Sequence, residues 1–472
     1  MTSFLIRNAE IGTQTACVRV KRGQIAAMGP HLEPDAGDQV VEADGGRLLP
    51  GLRDHHIHLL ALTAARLSVR CGPPQVKNRA ALAQALQKAA DRVDSPTALR
   101  GVGYHESVAG PLDRAGLDAM LATHPVRIQH RSGALWILNS LALAQLNLEG
   151  EPSPKGVERD ASGRPTGRIF REDAWLRAQL DSPRRPDLSD VGTLLASYGV
   201  TGVCDATPTN TADELALFSQ ARRAGALPQK LLLMGGAQLP AETGDLHLER
   251  GAVKYMLDEN ALPDEAELIE IIRSAHASNR GVAFHCVTRS ELVVALNAFE
   301  RAGPNPLDRI EHASVTPPDL LAWMTQLSVA VITQPNFLRE RGDAYLENVD
   351  ARDQPWLYRC AGFLKAGVPL AAGTDAPFGE PDPWAAMQAA VERRSAAGQP
   401  LGLDEALSPE QALGLFQSPL QQPGRGQAQI SLGAPADLVL LSCNWTRARD
   451  RLVAEDVRAT WVNGQKVWQR DA

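Results

Sequence analysis

Two histidines, His56 and His58, follow the apolar run Leu48-Leu49-Pro50-Gly51-Leu52 within the stretch Asp54-His55-His56-Ile57-His58. Residues two apart on an extended backbone point to the same side. Both imidazoles therefore address one place, which suits a metal ion better than an apolar core. Alone, such a pair is as often a packed or surface feature as a functional one. His55 points the opposite way and reads as structural, or as a support for the pair. Three further metal-competent residues end short apolar runs: His285 after Val282-Ala283-Phe284, His312 after Arg309-Ile310-Glu311, and Asp375 after Ala371-Ala372-Gly373-Thr374. Each has an ordinary reading as a capped surface residue or a turn residue. Their recurrence at strand ends does not.

Lys254 is different, because it interrupts the apolar run Gly251-Ala252-Val253-Lys254-Tyr255-Met256-Leu257. A buried lysine is costly unless it is paired or chemically changed. An N6-carboxylated Lys254 would act as a carboxylate bridging two metals. The alternative is a lysine near the strand end that snorkels to solvent.

These residues need a scaffold that brings strand ends together. The middle of the chain alternates short apolar runs with helical patterns, as a parallel α/β arrangement does. Strand candidates are Arg47–Leu52, Gly199–Asp205, Lys230–Met234, Ala252–Leu257, Gly281–His285, Arg309–His312, Val329–Thr333 and Val368–Ala372, with helices such as Asp264–Ser278 and Pro318–Gln326 between them. That is the complement of a (β/α)₈ TIM barrel, whose chemistry gathers at the C-terminal strand ends. The predicted fold is thus α/β, with the barrel over 48–424.

Both ends of the chain alternate like strands, and Asn463-Gly464 between two alternating runs is a hairpin signal. Residues 1–47 read as a small antiparallel unit and join 425–472 in one composite β-sandwich domain. The segment 60–190 is too long for a single connection. It carries Leu99–Val102, Val126–Gln129 and a hairpin around Ala161–Pro165, and reads as an inserted subdomain or lid over the barrel mouth. The competing reading makes the first two runs barrel strands.

A net charge of -7 and a pI near 5.9 disfavour nucleic-acid and anionic-membrane partners. Aromatic residues at 5% disfavour base stacking. No window reaches the roughly 18 apolar residues of a membrane span, and the N-terminus does not read as a signal peptide. The 6 cysteines lie far apart with no C-x-x-C pair, as in a reduced, cytoplasmic protein. The remaining partners are a small-molecule substrate and further copies of the chain, in a homodimer or higher homo-oligomer.

The order Pro50-Gly51-Leu52-x-Asp54-x-His56-x-His58, Lys254, His285, His312 and Asp375 resembles the amidohydrolase superfamily of metal-dependent hydrolases. The runs Gly199–Asp205, Val253-Lys254, Arg309–His312 and Gly433–Val439 resemble its YtcJ-like branch, amidohydrolase family 3. The resemblance spans nearly the whole chain and implies hydrolysis of an amide or related C–N bond at a divalent metal centre of zinc type. It implies that His56, His58 and Asp375 hold one metal and His285 and His312 a second, with carboxylated Lys254 between. Asp375 then serves as general base and acid. A one-metal version keeps His56, His58, His285 and Asp375 as ligands and leaves His312 to assist the attacking water. One departure stands out: Arg131-Ser132-Gly133-Ala134-Leu135-Trp136 replaces the family's Asp-Gly-His ahead of Asn139-Ser140, and His130 lies at another offset.

Candidate substrate contacts are Tyr104, His105, His130 and Trp136 in the insertion, and Asn336, Arg359 and Trp384 in the barrel. Arg339-Glu340-Arg341 reads as a solvated charge run rather than a carboxylate clamp. The substrate classes expected are acyclic N-acyl or N-formyl compounds and cyclic amides or imides. Deamination on the same scaffold, an isomerase and a non-catalytic scaffold protein are the alternatives.

Overall fold

The computed structural model describes residues 3–73, 75–94, 97–148, 154–180, 187–241 and 243–470. The chain divides into two compact units, Met1–Leu59 with Asp187–Ala472, and Leu60–Pro186.

The first unit is built on eight parallel strands: β1 (Leu52–Ile57), β2 (Val200–Asp205), β3 (Lys230–Gly235), β4 (Leu248–Met256), β5 (Val282–Cys286), β6 (Arg309–His312), β7 (Ala330–Thr333) and β8 (Leu370–Ala372). They are hydrogen-bonded in sequence order from β1 to β8. The ends meet beyond the ladder, where the Asp375 amide donates to the His56 carbonyl at 2.8 Å and the His58 amide to the Ala376 carbonyl at 2.9 Å. This is the TIM barrel expected from the sequence.

One strand differs from expectation. The run Arg47–Leu52 divides at Gly51: Leu48–Pro50 pairs antiparallel with Leu438–Leu441, and the barrel strand begins at Leu52. A Cβ on Gly51 would lie 2.1 Å from Thr201 Oγ1, so only glycine lets the chain pass from one sheet to the other here. The helices between strands carry their own start signals. Asp264 caps Glu265–Ala277, and Thr288 with Glu291 forms a capping box on Arg289–Ala302.

Two four-stranded sheets of the same unit come from the chain ends. One contains Ser3–Ile11, Gln14–Lys21, Gln24–Gly29 and Gln39–Glu42, the other Leu48–Pro50, Leu438–Leu441, Val457–Val462 and Gln465–Gln469. They share a core in which Phe4 stacks on Trp461 at 5.6 Å, with Ile6, Val20, Leu438 and Leu440 around them. The N-terminal sheet is not wholly antiparallel. Gln39–Glu42 pairs parallel with Ser3–Ile11, because the connection through 30–38 carries the chain back across before the strand forms.

The second unit has a six-stranded sheet in the order Val157–Arg159, Pro165–Phe170, Leu135–Leu138, Val126–His130, Leu99–Tyr104, Val69–Arg70. Leu82 and Leu86 of the helix Arg79–Ala90 pack with Leu99, Val126, Ile128 and Ile137 on one side. The runs at Leu99 and Val126 thus belong to this sheet and not to the barrel. No helix among the described residues is long and apolar enough to cross a membrane.

Candidate metal centre

His56 is the penultimate residue of β1 and His58 follows the strand, both beside the turn after β8 that carries Asp375. Asp375 Oδ1 lies 3.4 Å from His56 Nε2 and 3.2 Å from His58 Nε2. His312, at the end of β6, brings its ring to 4.9 Å from that of His56, and His285 of β5 stands edge-on to His312 at 4.5 Å. His56, His312 and Asp375 each offer a ligand atom, all within 4.8 Å of one another. The strand-end residues singled out by the sequence thus converge at one end of the barrel.

Three of the rings, those of His56, His58 and His312, are held by a neighbour on the side facing away from this point. Nδ1 of His56 bonds the Glu311 carboxylate, Nδ1 of His58 bonds Thr207 Oγ1 at 2.9 Å, and Nδ1 of His312 bonds Gln334 Oε1 at 2.7 Å. Such bonds fix ring orientation and leave Nε2 for a metal. Glu311 is itself gripped by Arg309, whose Nε lies 2.5 Å from Oε1 and whose Nη2 donates to the His55 carbonyl at 2.8 Å. His55 turns away and its Nε2 pairs with Ser418 Oγ at 3.1 Å. That places it in a structural role.

Burial pushes the imidazoles of His56, His285 and His312 below their ordinary value, His285 to about 3. They are therefore neutral at physiological pH, the form in which a metal takes them. Burial alone would raise Asp375, but the facing His56, His58 and His312 rings hold its carboxyl below the usual range. Lys254 is buried in β4, and burial depresses its amine. Two polar atoms in this pocket are buried without a hydrogen-bond partner, Lys254 Nζ and Asp375 Oδ1. Unsatisfied buried groups cost about 1–3 kcal/mol each, and a cation with a lysine carboxylate would satisfy both. The donor set, neutral nitrogens with carboxylate oxygen, suits zinc. These residues fit the metal that the resemblance implies.

The backbone here is also strained. His312 and Asp375 have φ of +70° and +55°, in the left-handed region. Such conformations cost on the order of 1–3 kcal/mol and cluster at functional sites. Gly373 makes room for the turn: a Cβ there would sit 2.4 Å from the His56 amide nitrogen.

The barrel residues expected to touch substrate are engaged otherwise. Trp384 is fully buried, its indole donating to the Tyr198 carbonyl at 2.9 Å, so it is a core residue and does not line the mouth. Arg359 is not free for an anion, since its Nε pairs with Glu405 at 2.8 Å and Nη1 with the Thr316 carbonyl at 3.1 Å. Asn336 is buried and donates to the Thr374 carbonyl at 3.0 Å, bracing the Asp375 turn.

The other candidates lie in the second unit. Tyr104 is fully buried and donates to the Gly110 carbonyl at 2.6 Å, which makes it a core residue there. His105 caps the helix Glu106–Ala109. His130 Nε2 pairs with Glu106 at 3.1 Å. Trp136 bonds Asp173 at 2.8 Å, with the Arg100 guanidinium over its ring at 5.2 Å. Reading for ligands missed Gln334 and Thr207. Gln334 was findable, as another polar residue closing an apolar run, Ala330-Val331-Ile332-Thr333.

The family model described as the amidohydrolase family matches residues 39–468. The N-substituted formamide deformylase of Arthrobacter pascens is 26% identical over 542 aligned residues, covering 100% of this chain and 99% of that protein. The putative amidohydrolase YtcJ of Bacillus subtilis (strain 168) is 23% identical, covering 99% and 98%. Among solved structures, an uncharacterized metal-dependent hydrolase of Pyrococcus horikoshii OT3 superposes with a TM-score of 0.74 at 22% identity, covering 96% of this chain and 99% of that one. That last likeness concerns the fold alone. The chain belongs to the amidohydrolase family and is a hydrolase acting on carbon–nitrogen bonds.

Proposed function

We propose that this enzyme is a zinc-dependent hydrolase of acyclic N-acyl or N-formyl compounds, with cyclic amides and imides as the second substrate class. The observation that carries the reading is the unsatisfied Asp375 Oδ1 with the Nε2 atoms of His56 and His58 turned toward it. Full-length similarity to a formamide deformylase supports the acyclic class.

In this reading His56, His58 and Asp375 would hold one ion and His285 and His312 a second, and a carboxylated Lys254 would supply further carboxylate oxygen to the centre. Carboxylation adds carbon dioxide to the neutral amine with release of one proton, and burial of Lys254 favours the neutral amine it requires. When bound, the metal lowers the pKa of a coordinated water to about 7 and polarises the substrate carbonyl. Asp375 accepts the proton of the attacking water and delivers it to the departing nitrogen. Glu311, Thr207 and Gln334 keep the three rings aimed throughout.

The test is a hydrolysis screen of zinc-loaded protein against N-formyl amines, N-acyl amino acids and cyclic imides. Formate or another carboxylate should appear in step with free amine from the acyclic amides, and a ring-opened half-amide from the cyclic imides. Ammonia release without carboxylate would replace this reading with a deaminase.

A further inference from the structure

One arginine of the expected charge run does not behave as a surface residue. Arg339 does, reaching Gln388 at 2.8 Å on an exposed face. Arg341 instead turns inward from the helix Asn336–Asn348 and is half-buried. Its guanidinium lies 4.0 Å from the centre of the Phe337 ring, and Nη2 donates to the Phe378 carbonyl at 2.6 Å. Phe378 belongs to the turn that carries Asp375, its amide donating to the Asp375 carbonyl at 2.8 Å. Its ring stands edge-on to His58 at 5.6 Å. Arg341 is thus fastened one residue away from the metal-centre ligands, within electrostatic range of Asp375.

Its charge is incompletely answered. A guanidinium has five N–H donors. Arg341 spends them on a carbonyl, an aromatic face and Tyr345, and forms no ion pair with a carboxylate among the described residues. Asp375 and Glu340 answer its charge only at a distance, so a carboxylate that pairs with it directly would add charge-assisted hydrogen bonds. Around it Phe337, Phe378, Tyr345 and Tyr358 form an aromatic wall, with the Tyr345 and Tyr358 hydroxyls 3.2 Å apart. Phe378 and Tyr345 are only partly buried. A fork-shaped cation on an aromatic wall beside the reacting centre suits a carboxylate on an apolar frame.

We propose that Arg341 recognises a carboxylate of the substrate, so that the preferred substrates are amides of N-acyl amino acid type rather than neutral amides. This rests on the hydrolase reading above and narrows its substrate class. Arg341 is a specificity residue backed by the buried Phe337 ring, and the partly buried Phe378 and Tyr345 take the apolar part.

The test compares hippurate with its neutral analogue N-methylbenzamide, by calorimetric binding to zinc-loaded and zinc-free protein and by hydrolysis. Hippurate should bind about 10–100-fold more tightly, the worth of a charge-assisted contact. Arg341→Met should erase that preference, and Arg341→Lys, which keeps the charge without the fork, should retain only part of it. If Arg341→Met fails to fold, the Lys variant decides. Equal binding of the two probes, no measurable binding of hippurate, or a preference unchanged in the variants overturns the assignment. Preferential binding without cleavage of any amide removes the hydrolase reading and leaves Arg341 as a carboxylate site. Cleavage of both probes at rates indifferent to Arg341 does the reverse.

Discussion

Glu311, one residue before His312 on β6, holds His56 across the barrel through its Nδ1, and Arg309 on the same strand holds Glu311. Two strands far apart in sequence are thereby locked at the height of the candidate ligands. Replacing the carboxylate should loosen the ring before it disturbs the fold elsewhere. Glu311→Gln is expected to weaken zinc affinity about 10–100-fold, read by competition with a chelator. It also leaves Arg309 buried without its charge partner, at a stability cost of about 3–5 kcal/mol in denaturant unfolding.

Lys254 separates the two-metal and one-metal versions. With carboxylated Lys254 as a bridge, Lys254→Met loses one of the two ions and most of the activity. Elemental analysis of the purified variant measures the first loss. Metal-free Lys254→Met should also be more stable than metal-free wild type, by about 1–3 kcal/mol, because an unpartnered buried amine has gone.

Gly373 is where β8 presses on β1. A Cβ would meet the His56 amide nitrogen at 2.4 Å and His56 Cβ at 2.6 Å, and backbone cannot step aside. Gly373→Ala is expected to cost at least about 1–3 kcal/mol and to weaken zinc binding with it. Retention of wild-type zinc affinity would contradict this role.

The pH dependence of stability has a marker away from the metal centre. Asp382 caps the helix Pro383–Glu392, accepting from the Trp384 amide at 2.8 Å. Burial, with Glu455 and Glu380 nearby, raises its pKa from 3.8 to about 6. A carboxyl raised on folding stabilises fully below its unfolded value, and that contribution is lost as pH rises through about 6. Asp382→Asn keeps the cap. It should match wild type below pH 4 and exceed it above pH 6, by up to about 3 kcal/mol in urea unfolding.

The barrel was legible because parallel strands buried on both faces write themselves as unbroken apolar runs. The ligands were legible because each closes such a run, as His312 closes Arg309-Ile310-Glu311. The start of β1 was not, since Leu48–Pro50 and Leu52–Ile57 share one apolar run and only the close approach of Gly51 to Thr201 divides them. Trp384 and Arg359 looked available because sequence gives residue type but not partners, and Tyr198 and Glu405 are distant along the chain. Arg341 was hidden for the same reason. Its neighbours read as a charge run, while its position depends on Phe337 and Phe378.

The central claim is that His56, His58, Lys254, His285, His312 and Asp375 form one metal centre. Elemental analysis of zinc-supplied protein after gel filtration, beside His56→Ala, tests it most directly. The account predicts zinc retained in stoichiometric amount by the wild type and largely lost from a His56→Ala protein whose circular dichroism is unchanged. Folded wild type that retains no divalent metal, or a variant that retains as much as wild type, would contradict it.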